Sequence, residues 1–140
     1  MSAIESITPE ENRAPERCLV LDGESETFLA AQLRRMLEAC GFSVLRASNA
    51  EEALRLCWRE TPRAIFLPRR SRGGETAAIL RRIRRMPRAG ARAVIVYGGG
   101  GDPAEISRMI WEGASDCIAQ PVSPEILDAK LKQAGVAGDL

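Results

Sequence analysis

Short runs of aliphatic and β-branched residues alternate along the chain with longer segments whose apolar positions recur every three or four residues. The first run, Cys18-Leu19-Val20-Leu21, reads as a strand. The segment over about 25–40 then places Leu29, Leu33, Met36 and Leu37 on one helical stripe and stops at Gly41, the residue type that ends helices most easily. A second strand is expected over about 43–46. Asn49, with Glu52 three residues on, forms a helix start; Ala53, Leu54, Leu56 and Cys57 make the apolar side, and Thr61-Pro62 ends it. Strand three, Ala64-Ile65-Phe66-Leu67, runs into Pro68. After a loop rich in Arg and Gly, 75–86 predicts a helix with Ala77, Leu80 and Ile83, or Ala78 and Ile79, inward and Arg81, Arg82, Arg84 and Arg85 outward, closed by Pro87. A strand over 93–97 leads to a helix capped by Asp102, with Pro103 at its first position and Gly113 at its end. A strand over 117–119, a Gln120-Pro121 turn and a helix opened by Ser123-Pro124 complete the pattern, with Ile126, Leu127 and Leu131 facing the core.

Five strand-helix repeats imply parallel pairing through right-handed crossovers, hence an α/β sandwich around a central parallel sheet. The expected domain spans 17–135, with tails at 1–16 and 136–140. A chain of 140 residues, 45% hydrophobic and 28% charged, fits one globular domain. It carries no apolar run near the roughly 20 residues that span a bilayer, and residues 1–16 lack the basic start and apolar core of a signal peptide, so a cytoplasmic location without membrane partners is expected. Cys18, Cys40, Cys57 and Cys117 show no metal-site spacing and there is no histidine, which points to free thiols, three of them in apolar stretches.

Charge changes the picture. The net charge is +1, yet 55–92 holds twelve arginines against Glu60 and Glu75, a local excess of +10. A solvated face paired with the acidic remainder is the plain reading. Arginine also binds carboxylates and phosphates through a bidentate fork, which leaves room for a ligand.

Several stretches together carry a family resemblance: LVLDG at 19–23, GFSVLRASNAEEAL at 41–54, AIFL before Pro68, GGE at 73–75, EGASDCIAQP at 112–121 and PEILDAKLKQAGV at 124–136. Over about 17–135 the chain resembles the receiver domain of bacterial response regulators, and its last two stretches are similar to the stand-alone, chemotaxis-type members. The resemblance implies a (βα)5 flavodoxin-like (CheY-like) sandwich with a five-stranded parallel sheet in the order 2-1-3-4-5. It also implies a phosphorylation site, and that site is degenerate here. The acid pair that holds magnesium reads Asp22-Gly23, with Glu24 able to swing in; the phosphoacceptor aspartate is Pro68; the hydroxyl residue after strand four is Gly98; the lysine after strand five is Gln120; and the aromatic switch residue is Cys117. Nucleophile, metal ligand, hydroxyl donor and cation are each removed. The expectation is a pseudo-receiver that is not an enzyme, binds no magnesium tightly and has no other cofactor. The Gln120-Pro121 bond is expected to keep the cis form of the family's Lys-Pro bond.

The expected role is phosphorylation-independent protein binding in motility, chemotaxis or cell-cycle control, with a histidine kinase, a flagellar motor protein or a regulatory protein as partner. By resemblance the contact face is helix four, strand five and helix five, with Ile106, Ile110, Cys117 and Lys130 as candidate contacts. The alternative is a cyclic dinucleotide (c-di-GMP) effector in which Arg69, Arg70 and Arg72, at the ligand-binding edge of the sheet, clamp phosphates. Asp22 is otherwise a strand-end acid that caps helix one or pairs with an arginine. Gly98-Gly99-Gly100-Gly101 lacks the Lys-Ser/Thr of a phosphate loop, and Trp58 and Trp111 are expected to be partly buried anchors. Nucleic acid is disfavoured, because the basic third has no interleaved aromatics.

Overall fold

The computed structural model describes residues 16–23, 26–70, 75–87 and 92–136. Five strands, β1 (Arg17–Leu21), β2 (Ser43–Ala47), β3 (Ala64–Pro68), β4 (Ala93–Tyr97) and β5 (Asp116–Ile118), alternate with α1 (Thr27–Ala39), α2 (Ala50–Glu60), α3 (Thr76–Arg84), α4 (Pro103–Trp111) and α5 (Pro124–Gln133). The strands form one parallel sheet in the order β2-β1-β3-β4-β5: the parallel pairing is that expected from the repeats, and the order is that implied by the resemblance.

Every residue of β3 and β4 is buried, because both sheet faces are covered and a parallel strand must be apolar on each side. Successive side chains point to opposite faces, so each strand feeds two cores. On one face Cys18, Val20, Phe66, Ile95 and Tyr97 pack with Leu33 and Leu37 of α1 and Leu127 and Leu131 of α5. On the other, Leu19, Leu21, Ile65, Leu67, Val94 and Val96 meet Ala53 and Cys57 of α2, Leu80 and Ile83 of α3 and Met109 of α4. The four cysteines are free thiols, and burial pushes Cys18 and Cys57 up to about 12.

Local chemistry sets the helix starts. The Asn49 side chain accepts from Glu52 N at 2.8 Å while Glu52 accepts from Ser48 N at 3.1 Å; Asp102 accepts from Ala104 N and Ser123 from Ile126 N. In α3 the buried set is Thr76, Ala77, Ile79, Leu80 and Ile83, which merges the two stripes that the sequence offers as alternatives.

Three expectations change. Val136, assigned to the C-terminal tail, is buried in the α1/α5 core, with its N–H donating to Leu131 O at 2.8 Å. Burying a valine stabilises by roughly 1.5 kcal/mol, enough to fold the chain back at that point. Ile126, expected inward, is 45% exposed, because the α5 stripe that reaches the sheet runs through Leu127 and Leu131. Trp58 and Trp111, expected as partly buried anchors, are 64% and 89% exposed, since each projects from the solvent side of its helix.

Candidate functional site

The carboxyl ends of β1, β3, β4 and β5 converge at one edge of the sheet, where open α/β sheets bind their ligands. Asp22 follows β1 directly and is buried, its N–H donating to Ala47 O at 2.9 Å. Its carboxylate is held from two sides. Arg34 of α1 donates to Oδ1 at 2.6 Å and Arg46 of β2 donates to Oδ2 at 2.8 Å. Of the two readings offered for this residue, arginine pairing is the one realised.

Pro68 closes β3. Its carbonyl accepts from Thr76 Oγ1 at 2.7 Å, tying the strand end to the first turn of α3 across the intervening loop. Opposite it, Gly23 has so little room that an added side-chain carbon would stand 3.0 Å from Pro68 Cβ and 3.0 Å from Glu26 Oε2. Gly98, after β4, adopts φ 104°, and a side-chain carbon there would stand 2.5 Å from Glu26 Oε1. No hydroxyl-bearing residue fits that position while Glu26 keeps its place.

Glu26 is the residue that sequence reasoning missed. It precedes α1, yet its carboxylate turns into the site beside Gly23 and Gly98, where Oε2 is buried without a hydrogen-bond partner among the described residues. Burial pushes its carboxyl above the ordinary range, and the Arg69 and Arg70 charges pull it partly back. The only sequence signal was the lengthened loop after β1, which directed attention to Glu24; that residue lies outside the described residues. Because burial penalises only the ionised form, the penalty is absent in acid, grows as pH rises from the unfolded chain's ordinary carboxyl range to the raised pKa of the folded state, and is fully present above it. Glu26→Gln should therefore melt at a higher temperature than the parent at neutral pH, with the gap closing below pH 4. A gap that widens in acid would refute this account of the side chain.

The remaining groups close the site. The Tyr97 hydroxyl donates to Leu21 O at 2.5 Å across the sheet end, and burial raises its phenol well above the usual range. Gln120 is exposed, its N–H donating to Gly99 O at 3.2 Å, and the Gln120-Pro121 peptide is cis as expected. Magnesium requires near-octahedral oxygen ligation. Two guanidinium groups cover Asp22, Gly23 and Pro68 offer no side-chain donor, and no cluster of three acid, cysteine or histidine ligands exists among the described residues, so this donor set does not fit the ion.

Arg69 pairs with Glu105 of α4, and a cleft of about 790 Å³ opens beside it, lined by Arg70 and Arg108 and also by Glu75, Asp102 and Glu105. Arg72 lies outside the described residues. On the α4–β5–α5 side, Ile106 and Cys117 line one small crevice with the glycine loop, Ile110 is 47% exposed, and Lys130 is bound to Asp116 at 2.9 Å. The four candidate contacts thus divide: Ile110 faces outward, Ile106 and Cys117 are half-buried, and Lys130 is partnered within the domain.

No protein-family model matches the chain, and no curated protein matches it. Solved structures do. A response-regulator protein from Chloroflexus aurantiacus is 25% identical with a TM-score of 0.79, over 86% of this chain and 98% of that one. A response regulator receiver domain protein from Clostridium thermocellum is 26% identical with a TM-score of 0.73, over 85% and 93%. The receiver domain of a sensor histidine kinase from Pseudomonas aeruginosa, with magnesium coordinated in its active-site cleft, is 18% identical with a TM-score of 0.75, over 87% and 99%.

Proposed function

From a chain with the flavodoxin-like receiver fold, we propose a signalling module that acts by binding proteins, without phosphoryl transfer, metal or catalysis, in bacterial motility, chemotaxis or cell-cycle control. The observation that carries the reading is the state of the acids at the sheet edge: Asp22 is neutralised by Arg34 and Arg46, Pro68 replaces a nucleophile, and the Glu26 carboxylate fills the space beside Gly98. An incoming phosphoryl group would meet that carboxylate and find no acceptor. The Pseudomonas domain carries magnesium in its cleft; the equivalent edge here carries internal guanidinium groups as its cations. The partner would be a histidine kinase, a flagellar motor protein or a regulatory protein, docked on α4, β5 and α5, where Ile110 and the adjacent Trp111 offer exposed apolar area.

The test is chemical. Incubation with acetyl phosphate and magnesium should leave the intact mass unchanged, and calorimetric titration with magnesium should give no heat beyond dilution. An aspartyl-phosphate adduct would sink the proposal.

A second reading, the c-di-GMP effector, is favoured by one observation, the cleft of about 790 Å³ with Arg70 and Arg108 on its wall. Against it, Arg69 is already paired with Glu105, and three carboxylates share the lining. Calorimetry with c-di-GMP should give no heat at high micromolar protein. Saturable heat abolished by Arg70→Ala would make the effector reading the better one.

A further inference from the structure

Helices α2 and α3 lie side by side and leave between them a groove of about 610 Å³. Leu54 and Trp58, four residues apart on α2, face Arg82 near the end of α3 and Met86 just beyond it, while Arg55 stands on the α2 wall and Glu51 near one end. Leu54 is buried and forms part of the floor, whereas Trp58 is exposed above it.

Several arginines of the basic third are held by groups within the domain, and others, Arg70 at the sheet edge among them, make no ion pair among the described residues. Arg59, Arg63, Arg69 and Arg81 pair with Glu60, Glu16, Glu105 and Glu112, and Arg84 is bound to Gly113 O at 2.8 Å and Arg92 O at 3.0 Å. Arg55, Arg82 and Arg85 make no ion pair among the described residues. Two of these cations, Arg55 and Arg82, line the groove with the exposed Trp58, and Glu51 is the single acid beside them among the described residues. Tryptophan, arginine and methionine are the residues enriched where protein interfaces concentrate their binding energy.

We propose that the α2–α3 groove docks an acidic, amphipathic segment of a partner protein. An apolar side chain of that segment packs on Trp58, Leu54 and Met86, and its carboxylates pair with Arg55 and Arg82. Charge complementarity selects the sign of the partner, because a guanidinium fork matches a carboxylate in two parallel hydrogen bonds. A nucleic-acid strand would need a continuous cationic track with several stacking surfaces. The groove offers a single aromatic, and Glu51 interrupts the track. The surface is separate from the α4–β5–α5 face, so the domain could hold two partners at once.

Fluorescence anisotropy with the full-length chain tests the proposal. The probe is a short fluorescein-labelled peptide with glutamates on one helical face and leucine and phenylalanine on the other. It should bind, more weakly at high salt, and Trp58→Ala and Arg82→Glu should each reduce affinity about tenfold or more while Ile110→Asp leaves it unchanged. Trp58 and Arg82 are both exposed, so the variants should keep the parent melting temperature, which is measured alongside. Several results would overturn the proposal: no binding of the probe, equal binding of a peptide with serine in place of its apolar residues, tighter binding of an oligothymidylate, indifference to Trp58→Ala, or a self-association of the chain that Trp58→Ala abolishes.

Discussion

Replacing Asp22 with asparagine should lower the unfolding free energy by about 2–4 kcal/mol, measured by denaturant titration at neutral pH. The carboxylate is buried and binds two guanidinium groups, at 2.6 Å and 2.8 Å. Asparagine keeps the shape but loses the charge, and the Arg34 side chain, 18% exposed, is left as a cation with little water and no counter-charge. Arg46 contributes less, because its side chain is 61% exposed and solvent screens it. The cost should therefore fall sharply when Arg34→Gln is combined with Asp22→Asn, giving a coupling energy that a cycle with Arg46→Gln does not show. A loss under about 0.5 kcal/mol for Asp22→Asn would mean that this cluster contributes little to folding, and the proposal of a site that works without metal would lose its energetic support.

Pro68→Asp should fail to create a phosphate-responsive switch and should cost about 1–3 kcal/mol of stability at neutral pH. The new carboxylate would enter a space already bordered by Glu26 beside Gly23, so like charges would be forced together. The substitution also releases a proline that stiffens the unfolded chain. Even a phosphorylated variant would meet glycine at 98 and glutamine at 120, with neither a hydroxyl nor a cation to read the phosphoryl oxygens. The checks are thermal melting, intact mass after acetyl phosphate, and binding to a partner with and without the phosphodonor. Phosphate-dependent binding by this single variant would refute the proposal that glycine at 98 and glutamine at 120 leave a phosphoryl group unread.

The two α4 and α2 surfaces differ in what they offer a partner. Ile110 and Trp111 present apolar area beside the half-buried Ile106, whereas the α2–α3 groove combines Trp58 with arginines that make no ion pair among the described residues. Ile110→Asp and Trp58→Ala therefore probe different contacts, and a partner that depends on one need not depend on the other.

Much of the fold was legible because it is built from local rules. Alternation of apolar runs gave five strands and five helices, side-chain caps at Asn49, Asp102 and Ser123 marked helix starts, the repeats required parallel pairing, and the family resemblance supplied the strand order. The same reading identified Pro68, Gly98 and Gln120 as residues unable to do phosphoryl chemistry, since that follows from their side chains alone. It failed where two directions had equal local merit. Apolar character put Ile126 inward and made Trp58 and Trp111 partly buried anchors, but only the packing of each helix on the sheet decides which stripe is covered. The site itself was less legible still. Asp22 meets Arg34 and Arg46, 12 and 24 residues away, through the crossover that brings α1 and β2 against the end of β1. Glu26 enters the site because Gly23 and Gly98, two positions without side chains, leave room for its carboxylate. The sequence by itself determined which functional groups stand at each position, because a side chain's chemistry is fixed by its identity. Only the tertiary structure decided which of them meet, because charge pairing and burial depend on distances that chain order does not contain.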